Sequence, residues 1–311
     1  MPLTATDNHD GREGKGVVSA GMDTNSLSGR GEGAGAMRLG VSSWCFRHEN
    51  ILEALGRISS CGARYVELFA NNFHLDPRRG ATDPTALISS LKRRGLQALS
   101  LHLPFANIEG KEGGHGVRAA WLDLVEACFR VVEALHIPKV VVHPQITAPD
   151  EHGRRMALDV VEAVESHLIP RAAREGTAVL LENLHPIAFT SYFGCREIGA
   201  ILERWNTKNT GLCLDVSHCF CSGLDPVEEI GLCGKWIREI HLSDNRYEPK
   251  SDRHLAPGAG SLDWESFLEA VQNTCTRADL ILEVDGGQTP RAGVEASLAF
   301  IRSRLGGRIE G

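Results

Sequence analysis

The sequence lacks the features of several classes of protein. None of its apolar runs reaches the about 18 consecutive residues that a membrane helix needs, and residues 1–36 lack the basic and apolar regions of a secretory signal. The nine cysteines form no Cys-x-x-Cys pair, and an odd number cannot all pair in a disulfide framework. We therefore expect a soluble, cytoplasmic protein with reduced thiols, in which Cys219 and Cys221 are small buried residues.

An excess of basic residues is also absent. The 33 Lys and Arg residues are outnumbered by 40 Asp and Glu residues, which gives a formal net charge of −7. The field of the whole molecule therefore does not attract nucleic acid, although a local basic patch could still do so. This balance weighs against a DNA enzyme without excluding one.

The first 36 residues contain little that could pack into a core. They are rich in Gly, Ser, Asp and Asn and have almost no clustered aliphatic residues. Burial of so little apolar surface does not offset the entropy lost on ordering the chain. We expect residues 1–36 to form a disordered extension and residues 37–311 to form the domain.

From Met37 onward, short apolar runs alternate with longer helical patterns. Residues 140–142 and 179–181 are apolar at consecutive positions, as in parallel strands that are covered on both faces. Segments such as 117–135 have apolar residues at helical spacing. Strands are predicted at 38–43, 65–69, 98–103, 139–143, 178–183, 211–216, 237–243 and 280–284. Eight strands with polar residues at most of their ends favour an α/β fold with a single (β/α)8 TIM barrel over an open doubly wound sheet.

Ionisable residues stand at the ends of six successive predicted strands. In a parallel barrel these ends meet at one rim, where the catalytic groups of this architecture lie. Burial of so many charges without compensation would be very costly, and a bound divalent cation is the simplest compensation. Imidazole and carboxylate ligands together suit Zn, Mn or Co better than Mg. The strand-end residues are His102, His143, Glu182, Asp215, His218, His241 and Glu283, and the loop after the seventh strand adds Asp252 and His254.

Two spacings support convergence on one pocket. Asp215 and His218 are three residues apart, so a turn at the strand end could direct both side chains into it. Asp252 and His254 are two residues apart and share one face of an extended segment. Taken singly, each residue has a simpler interpretation, as a hydrogen-bond partner of a loop or as an ion pair with Arg. Residues 257–260 predict a tight turn before a helix capped near Asp263, so we expect this loop to be ordered.

These residues give the chain a family resemblance. Residues 37 to about 304 resemble the xylose-isomerase-like barrel superfamily. This superfamily contains sugar and sugar-phosphate isomerases and epimerases, and also the endonuclease IV family of abasic-site nucleases, AP endonuclease family 2. The most specific motifs are Leu214-Asp215-Val216-Ser217-His218, His241-Leu242-Ser243-Asp244-Asn245, and Asp252-Arg253-His254 followed by Pro257-Gly258-Ala259-Gly260.

The two branches of the superfamily imply different sites. The isomerase branch holds one divalent metal (Mn, Co, Mg or Zn), and its two glutamates also serve as the acid/base pair. The four residues that match this site are Glu182, Asp215, His241 and Glu283. The nuclease branch holds three zinc ions with nine ligands, and a matching residue stands at all nine positions given above. The complete set does not decide between the branches, because many isomerase-like members also retain the outer histidines.

Departures from the family pattern point in both directions. Ala259 stands where the Gly-x-Gly turn of the family often has Glu. Phe105 and Asn107 follow His102, but no clear equivalent of an intercalating, positively flanked loop is present. With the acidic balance, this favours a metal-dependent sugar or sugar-phosphate isomerase or epimerase that acts by proton transfer through a metal-stabilised enediolate. The alternative is a zinc-dependent abasic-site endonuclease, and nucleic acid is a partner only under that alternative.

The preferred interpretation gives roles to individual residues. Glu182 and Glu283 transfer the proton, and His218 orients a substrate oxygen. Arg246 or Lys250 pairs with a phosphate or acidic group of the substrate, unless both are simply surface charges. A non-catalytic sugar-binding barrel is a third interpretation, and nothing favours it because no expected ligand has been lost. We expect no membrane partner, and the sequence is compatible with a homo-oligomer.

Overall fold

Parallel strands form the centre of the computed structural model, which describes residues 36–71, 73–78, 83–105, 114–144, 159–184, 194–246, 251–285, 287 and 289–311. Each strand from β1 to β8 pairs in parallel with the next, and β8 pairs with β1, so the sheet closes. The predicted single (β/α)8 barrel is confirmed, and the predicted strand bounds differ from the observed ones by at most two residues. The strands are β1 (Met37–Ser42), β2 (Tyr65–Phe69), β3 (Gln97–His102), β4 (Lys139–Val142), β5 (Ala178–Glu182), β6 (Thr210–Asp215), β7 (Ile237–Leu242) and β8 (Asp279–Leu282).

Helices cover the outside of the barrel. The predicted amphipathic segment 117–135 lies in α3, and its Trp121, Val125 and Val132 are buried. Asp263 caps α8, because its carboxylate accepts hydrogen bonds from the Glu265 and Ser266 backbone N–H groups. The helices are α1 (Ile51–Ser60), α2 (Pro84–Arg94), α3 (Gly114–Leu135), α4 (Ile169–Glu175, after a π-helical turn at Val164–Leu168), α5 (Cys195–Trp205), α6 (Val216–Cys221), α7 (Pro226–Cys233), α8 (Trp264–Thr274) and α9 (Pro290–Leu305).

The two faces of the strands bury different kinds of side chain. Outward-facing residues such as Val140, Leu181 and Leu214 join the main apolar core beneath the helices. Inside the barrel, two small apolar clusters, Tyr65–Leu99–Ile281 and Val141–Leu180–Cys213, lie beside charged residues. The Lys139 ammonium binds the carboxylates of Glu239 and Asp279, and the Arg38 guanidinium lies 2.7 Å from Asp279. The interior of this barrel is therefore partly ionic, which the sequence analysis does not anticipate.

A short strand that was not predicted extends the sheet at its amino-terminal edge. Strand β9 (Ile309–Glu310) pairs in parallel with Met37 and Arg38 of β1. Two residues are too few for a period-two pattern, so the sequence gives no strand signal here. The predicted extension, apart from Ala36, lies outside the described residues.

The nine cysteines match the expectation for buried thiols. All are free and buried, including Cys219 and Cys221. None of the described helices is both long and apolar enough to cross a bilayer.

Candidate functional site

The predicted ligand residues meet at the carboxyl ends of β3 to β8. The structure places all nine at this one rim, and most of their surface is buried. Among the nine predicted ligand residues, Asp252 on the loop after β7 has the most exposed side chain, with 24% of its surface exposed. A site at this depth excludes most water from the ligand atoms, which strengthens every charge interaction there.

Four of these residues form a central cluster: Glu182, Asp215, His241 and Glu283. Their ligand atoms all lie within 4.8 Å of one another. His241 Nδ1 lies 3.4 Å from Glu182 Oε1, 3.8 Å from Asp215 Oδ2 and 2.8 Å from Glu283 Oε2. Yet His241 Nδ1 and Asp215 Oδ2 are buried atoms without a hydrogen-bond partner. Such atoms cost about 1–3 kcal/mol each when left unsatisfied, and one divalent cation within the cluster would satisfy both. The residues therefore fit a metal ion.

Two outer clusters adjoin the central one. In the first, Glu182 Oε2 lies 3.0 Å from Nε2 of both His102 and His143. The second cluster contains Asp215, His218 and His254, whose ligand atoms also lie within 4.8 Å of one another. Asp252 extends it, with carboxylate oxygens 3.6 Å from His218 Nε2 and 3.2 Å from His254 Nε2. Because Glu182 and Asp215 each belong to two clusters, the rim offers three adjacent candidate metal positions.

Asn183 locks the ends of β5 and β6 together. Its side-chain amide donates to the Asp215 carbonyl at 2.9 Å and accepts from the Asp215 backbone N–H at 2.7 Å. His218 Nδ1 lies 2.8 Å from the Asn183 carbonyl, so this nitrogen donates and Nε2 is left facing Asp252. Asp215 also caps α6 by accepting from the His218 backbone N–H at 2.7 Å. The predicted turn between Asp215 and His218 is therefore the first turn of a helix.

Asp244 anchors the loop that carries Asp252 and His254. Its carboxylate accepts hydrogen bonds of 2.9–3.1 Å from the backbone N–H groups of Gly258 and Leu262 and from the indole of Trp264. A Cβ atom at Gly260 would lie 2.2 Å from the same carboxylate, so glycine is required there. This pattern explains the predicted ordered turn at 257–260. The sequence analysis quoted Asp244 within a motif but gave it no role.

His254 has a backbone conformation that orients its ring. Its φ is 40°, in a region that non-glycine residues seldom adopt, so the surrounding structure must enforce it. His254 Nδ1 lies 3.0 Å from the Glu283 carbonyl oxygen and donates to it, which leaves Nε2 facing Asp252. The loop after β7 is thereby tied to the end of β8.

Protons compensate the buried carboxylates of the rim. Burial lowers the pKa of His102, but the hydrogen bond and charge of Glu182 outweigh it and raise that pKa to about 9. Burial likewise opposes the charge of Asp252, which raises the pKa of His254 to about 9. Burial prevails at His143, whose pKa is lowered. Burial also opposes ionisation of Glu182, but the surrounding histidines hold its pKa well below the usual value. Metal ions would take over the charge that these protons now supply.

Two carboxylates below the rim were missed by the sequence analysis. Glu67 on β2 and Glu239 on β7 are fully buried, and their oxygens lie 3.2 and 3.7 Å from His241 Nε2. The predicted ligands are ionisable residues at strand ends and in the following loop, whereas Glu67 and Glu239 lie inside strands. A charge within the buried run of residues 65–69 was the available signal, because such a charge needs a partner.

Aromatic side chains stand beside the clusters at the mouth of the barrel. The ring of Phe105 stacks on His143 with centroids 4.4 Å apart, and Trp44 lies 4.9 Å from His254. The Arg47 guanidinium lies over Trp44 and also pairs with Asp285 at 2.8 Å. The predicted substrate residue Arg246 is exposed on the loop after β7, and Lys250 lies outside the described residues.

Comparisons with known proteins agree with this fold. An uncharacterised protein of Methanocaldococcus jannaschii, MJ1311, is 23% identical over 242 residues, which cover 76% of this chain and 80% of that protein. A probable endonuclease 4 of Chlorobium luteolum is 28% identical over 189 residues, which cover 53% of this chain but only 62% of that relative. The crystal structure of a D-tagatose 3-epimerase-like protein has the same fold, with a TM-score of 0.72, 20% identity and coverage of 86% of this chain and 97% of that one. Residues 55–304 match the model of the xylose isomerase-like TIM barrel family, and the chain therefore belongs to that family, as the motifs predict.

Proposed function

We propose that this protein is a divalent-metal-dependent sugar or sugar-phosphate isomerase or epimerase. The observation that carries the proposal is the central cluster, in which Glu182 ends β5 and Glu283 directly follows β8, with Asp215 and His241 on the strands between them. Two carboxylates at one bound carbon can serve as the base and the acid of a proton transfer, and a divalent metal ion can bind the same four residues. A single cluster thus meets both needs.

Glu182 and Glu283 are the proposed acid/base pair. A divalent cation at the cluster, with Zn, Mn or Co suited best, supplies an electrophile that stabilises negative charge on the substrate oxygens. A substrate carbon between the two carboxylates loses its α proton to one of them and regains a proton from the other. Burial opposes ionisation of Glu283, but His241 and His254 lower its pKa, so both glutamates are ionised at neutral pH, as a base must be.

The surroundings of the cluster suit a small polyhydroxylated substrate. His218 is proposed to orient a substrate oxygen, because it is buried beside the cluster with Nε2 directed to the mouth, 3.6 Å from Asp252. Phe105 is 43% exposed at the mouth, where an aromatic face can pack against the C–H groups of a sugar. Arg246 and Lys250 remain the proposed partners of a phosphate or acidic group.

A zinc-dependent abasic-site endonuclease is the second candidate, and the two outer clusters favour it. An isomerase with one metal ion has no need of the arrangement around His102 and His143, or of that around His254 and Asp252. Three adjacent metal positions suit phosphodiester hydrolysis, in which metal ions activate water and stabilise the leaving oxygen. The similarity to a probable endonuclease 4 adds to this candidate.

Two assays on one preparation separate the candidates. Under the proposal, the protein loaded with Mn, Co, Mg or Zn exchanges the α hydrogen of a sugar or sugar phosphate with solvent deuterium, and does not nick an abasic duplex at physiological salt. Elemental analysis then finds one metal ion per chain. Zinc-dependent incision that is lost in His102→Ala and His254→Ala, with three zinc ions per chain and no exchange across a broad sugar panel, would establish the nuclease instead.

A further inference from the structure

Glu67 is a buried carboxylate that the proposed reaction does not use. It lies inside β2 with none of its surface exposed. Its Oε2 accepts a hydrogen bond from the Ser100 hydroxyl at 3.2 Å and lies 3.2 Å from His241 Nε2, whereas Oε1 has no hydrogen-bond partner. The nearby ammonium of Lys139 is bound to Glu239 and Asp279. Because a buried carboxylate is costly unless it is paired, the contact with His241 calls for an explanation.

The two ring nitrogens of His241 face opposite surroundings. Nδ1 faces the three carboxylates of the central cluster, at 2.8–3.8 Å. Nε2 points down into the barrel, where Glu67 is the nearer carboxylate at 3.2 Å and Glu239 is farther away at 3.7 Å. An imidazole that binds a metal through one nitrogen carries its proton on the other, and the partner of that proton sets the orientation of the ring.

We infer that Glu67 is a positioning residue for the metal centre, which accepts a hydrogen bond from the Nε2–H group of His241 and so directs the Nδ1 lone pair into the central cluster. Glu239 suits this role less, because its Oε1 lies 3.7 Å from Nε2, beyond hydrogen-bond distance, while Lys139 holds its Oε2. The strands set the distance: β2 and β7 lie on opposite sides of the β8–β1 pair, and Glu67 reaches His241 across the barrel interior. The inference rests on metal binding in the proposed function and holds whichever reaction the centre performs.

Three variants separate a positioning role from a merely structural one. Glu67→Leu removes the acceptor, Glu67→Gln keeps an amide oxygen that can accept from Nε2–H, and Ser100→Ala removes the other partner of Glu67 as a matched control. Zinc affinity, measured by chelator competition on folded protein, is expected to fall about 10–100-fold in Glu67→Leu and less in Glu67→Gln, with no change in Ser100→Ala. In ¹⁵N NMR spectra of the zinc-loaded protein, the Nε2 signal of His241 should report a strong hydrogen bond in the wild type and lose it only in Glu67→Leu.

The outcomes distinguish this inference from the proposed function. If wild-type protein binds no divalent metal, the proposed function fails and the positioning role fails with it. If wild type binds zinc and both Glu67 variants bind it equally tightly with an unchanged His241 spectrum, only the positioning role is overturned. If Glu67→Leu does not fold, Glu67→Gln alone tests the inference. Loss of the negative charge must weaken the hydrogen bond to Nε2–H. The inference is therefore overturned if Glu67→Gln binds zinc as tightly as the wild type and gives the same Nε2 signal.

Discussion

Glu182 is the residue on which the largest number of rim contacts converge. Its two oxygens approach His102, His143 and His241 at 3.0–3.4 Å, so it belongs to the central cluster and to one outer cluster. Glu182→Gln keeps the shape of the side chain but removes its charge and basicity. We expect turnover to fall by about 10²–10⁴-fold or more while the protein stays folded.

The measurement is kcat on the active substrate, together with circular dichroism and melting temperature. Glu203→Gln is the control, because Glu203 is 70% exposed at the end of α5, where it pairs only loosely with Lys235 at 3.5 Å. Near-normal turnover in Glu182→Gln would contradict the assignment of this residue.

Single residues also show where sequence reasoning succeeds and where it stops. The strand-end ligands were predictable, because parallel strands bring their carboxyl ends to one rim whatever the loops do. Glu67 and Glu239 were not assigned, because a charge inside a strand signals burial with a partner but not which strand supplies that partner. His241 meets Glu67 only through barrel closure, over a separation of 174 residues.

At the scale of elements, the loop after β7 depends on Asp244. Its carboxylate satisfies the N–H groups of Gly258, Leu262 and Trp264, and the backbones of Asp244 and Leu255 exchange two further hydrogen bonds. Asp244→Ala would leave several of these donors without a partner at once. We expect the free energy of unfolding to fall by about 3 kcal/mol or more, together with weaker metal binding through displacement of His254.

Chemical denaturation and metal titration of the same variant test this expectation. Asp263→Ala removes a carboxylate that also accepts backbone N–H bonds, but at the exposed start of α8, so it should cost only about 1 kcal/mol and leave metal affinity unchanged. Equal losses in the two variants would show that Asp244 is an ordinary cap.

Elements differ in how far the sequence predicts them. The eight barrel strands are short apolar runs and α3 has apolar residues at helical spacing, so their positions follow from the distribution of apolar residues. Strand β9 is two residues long and pairs with Met37 and Arg38, which precede the β1 residues that pair with β2. Such an element depends on the edge of a neighbouring strand, and no local sequence pattern predicts it.

At the scale of the whole molecule, residues 1–36 remain a predicted extension. We expect their removal to change neither the melting temperature nor the activity, because they contain too little apolar surface to pack. Scanning calorimetry and the exchange assay on full-length and truncated protein provide the measurement. A large fall in melting temperature on truncation would show that this segment docks on the barrel.

The stability of the whole barrel should depend on pH differently with and without metal. In the absence of metal, the pKa values of His102 and His254 are about 9, above the value of about 6.5 in an unfolded chain. Their contribution to stability is fully present below pH of about 6.5 and is lost as pH rises through the folded pKa. The melting temperature of the protein in the presence of a chelator should therefore fall as the pH rises from about 6.5 to about 9.

Metal-loaded protein should show a smaller alkaline loss, because a cation held by Glu182, Asp215 and Glu283 neutralises part of the carboxylate charge that raises these pKa values. Melting curves across that pH range, with chelator and with zinc, test the difference. A flat profile in chelator would mean that carboxylates do not hold protons on the rim histidines.

The raised pKa values at the rim couple metal binding to the release of protons. Against the opposing effect of burial, nearby acidic groups raise the pKa of His102 and His254 to about 9 and raise the pKa of His218 and His241 well above the ordinary value. Uptake of metal releases the proton of each histidine that becomes a ligand, which is His241 in the one-metal site, so the heat of binding includes the heat that the buffer takes up with that proton. In titration calorimetry the apparent enthalpy of metal binding should therefore differ between phosphate and Tris buffers. The slope of that enthalpy against the ionisation enthalpy of the buffer gives the number of protons that each bound metal ion releases.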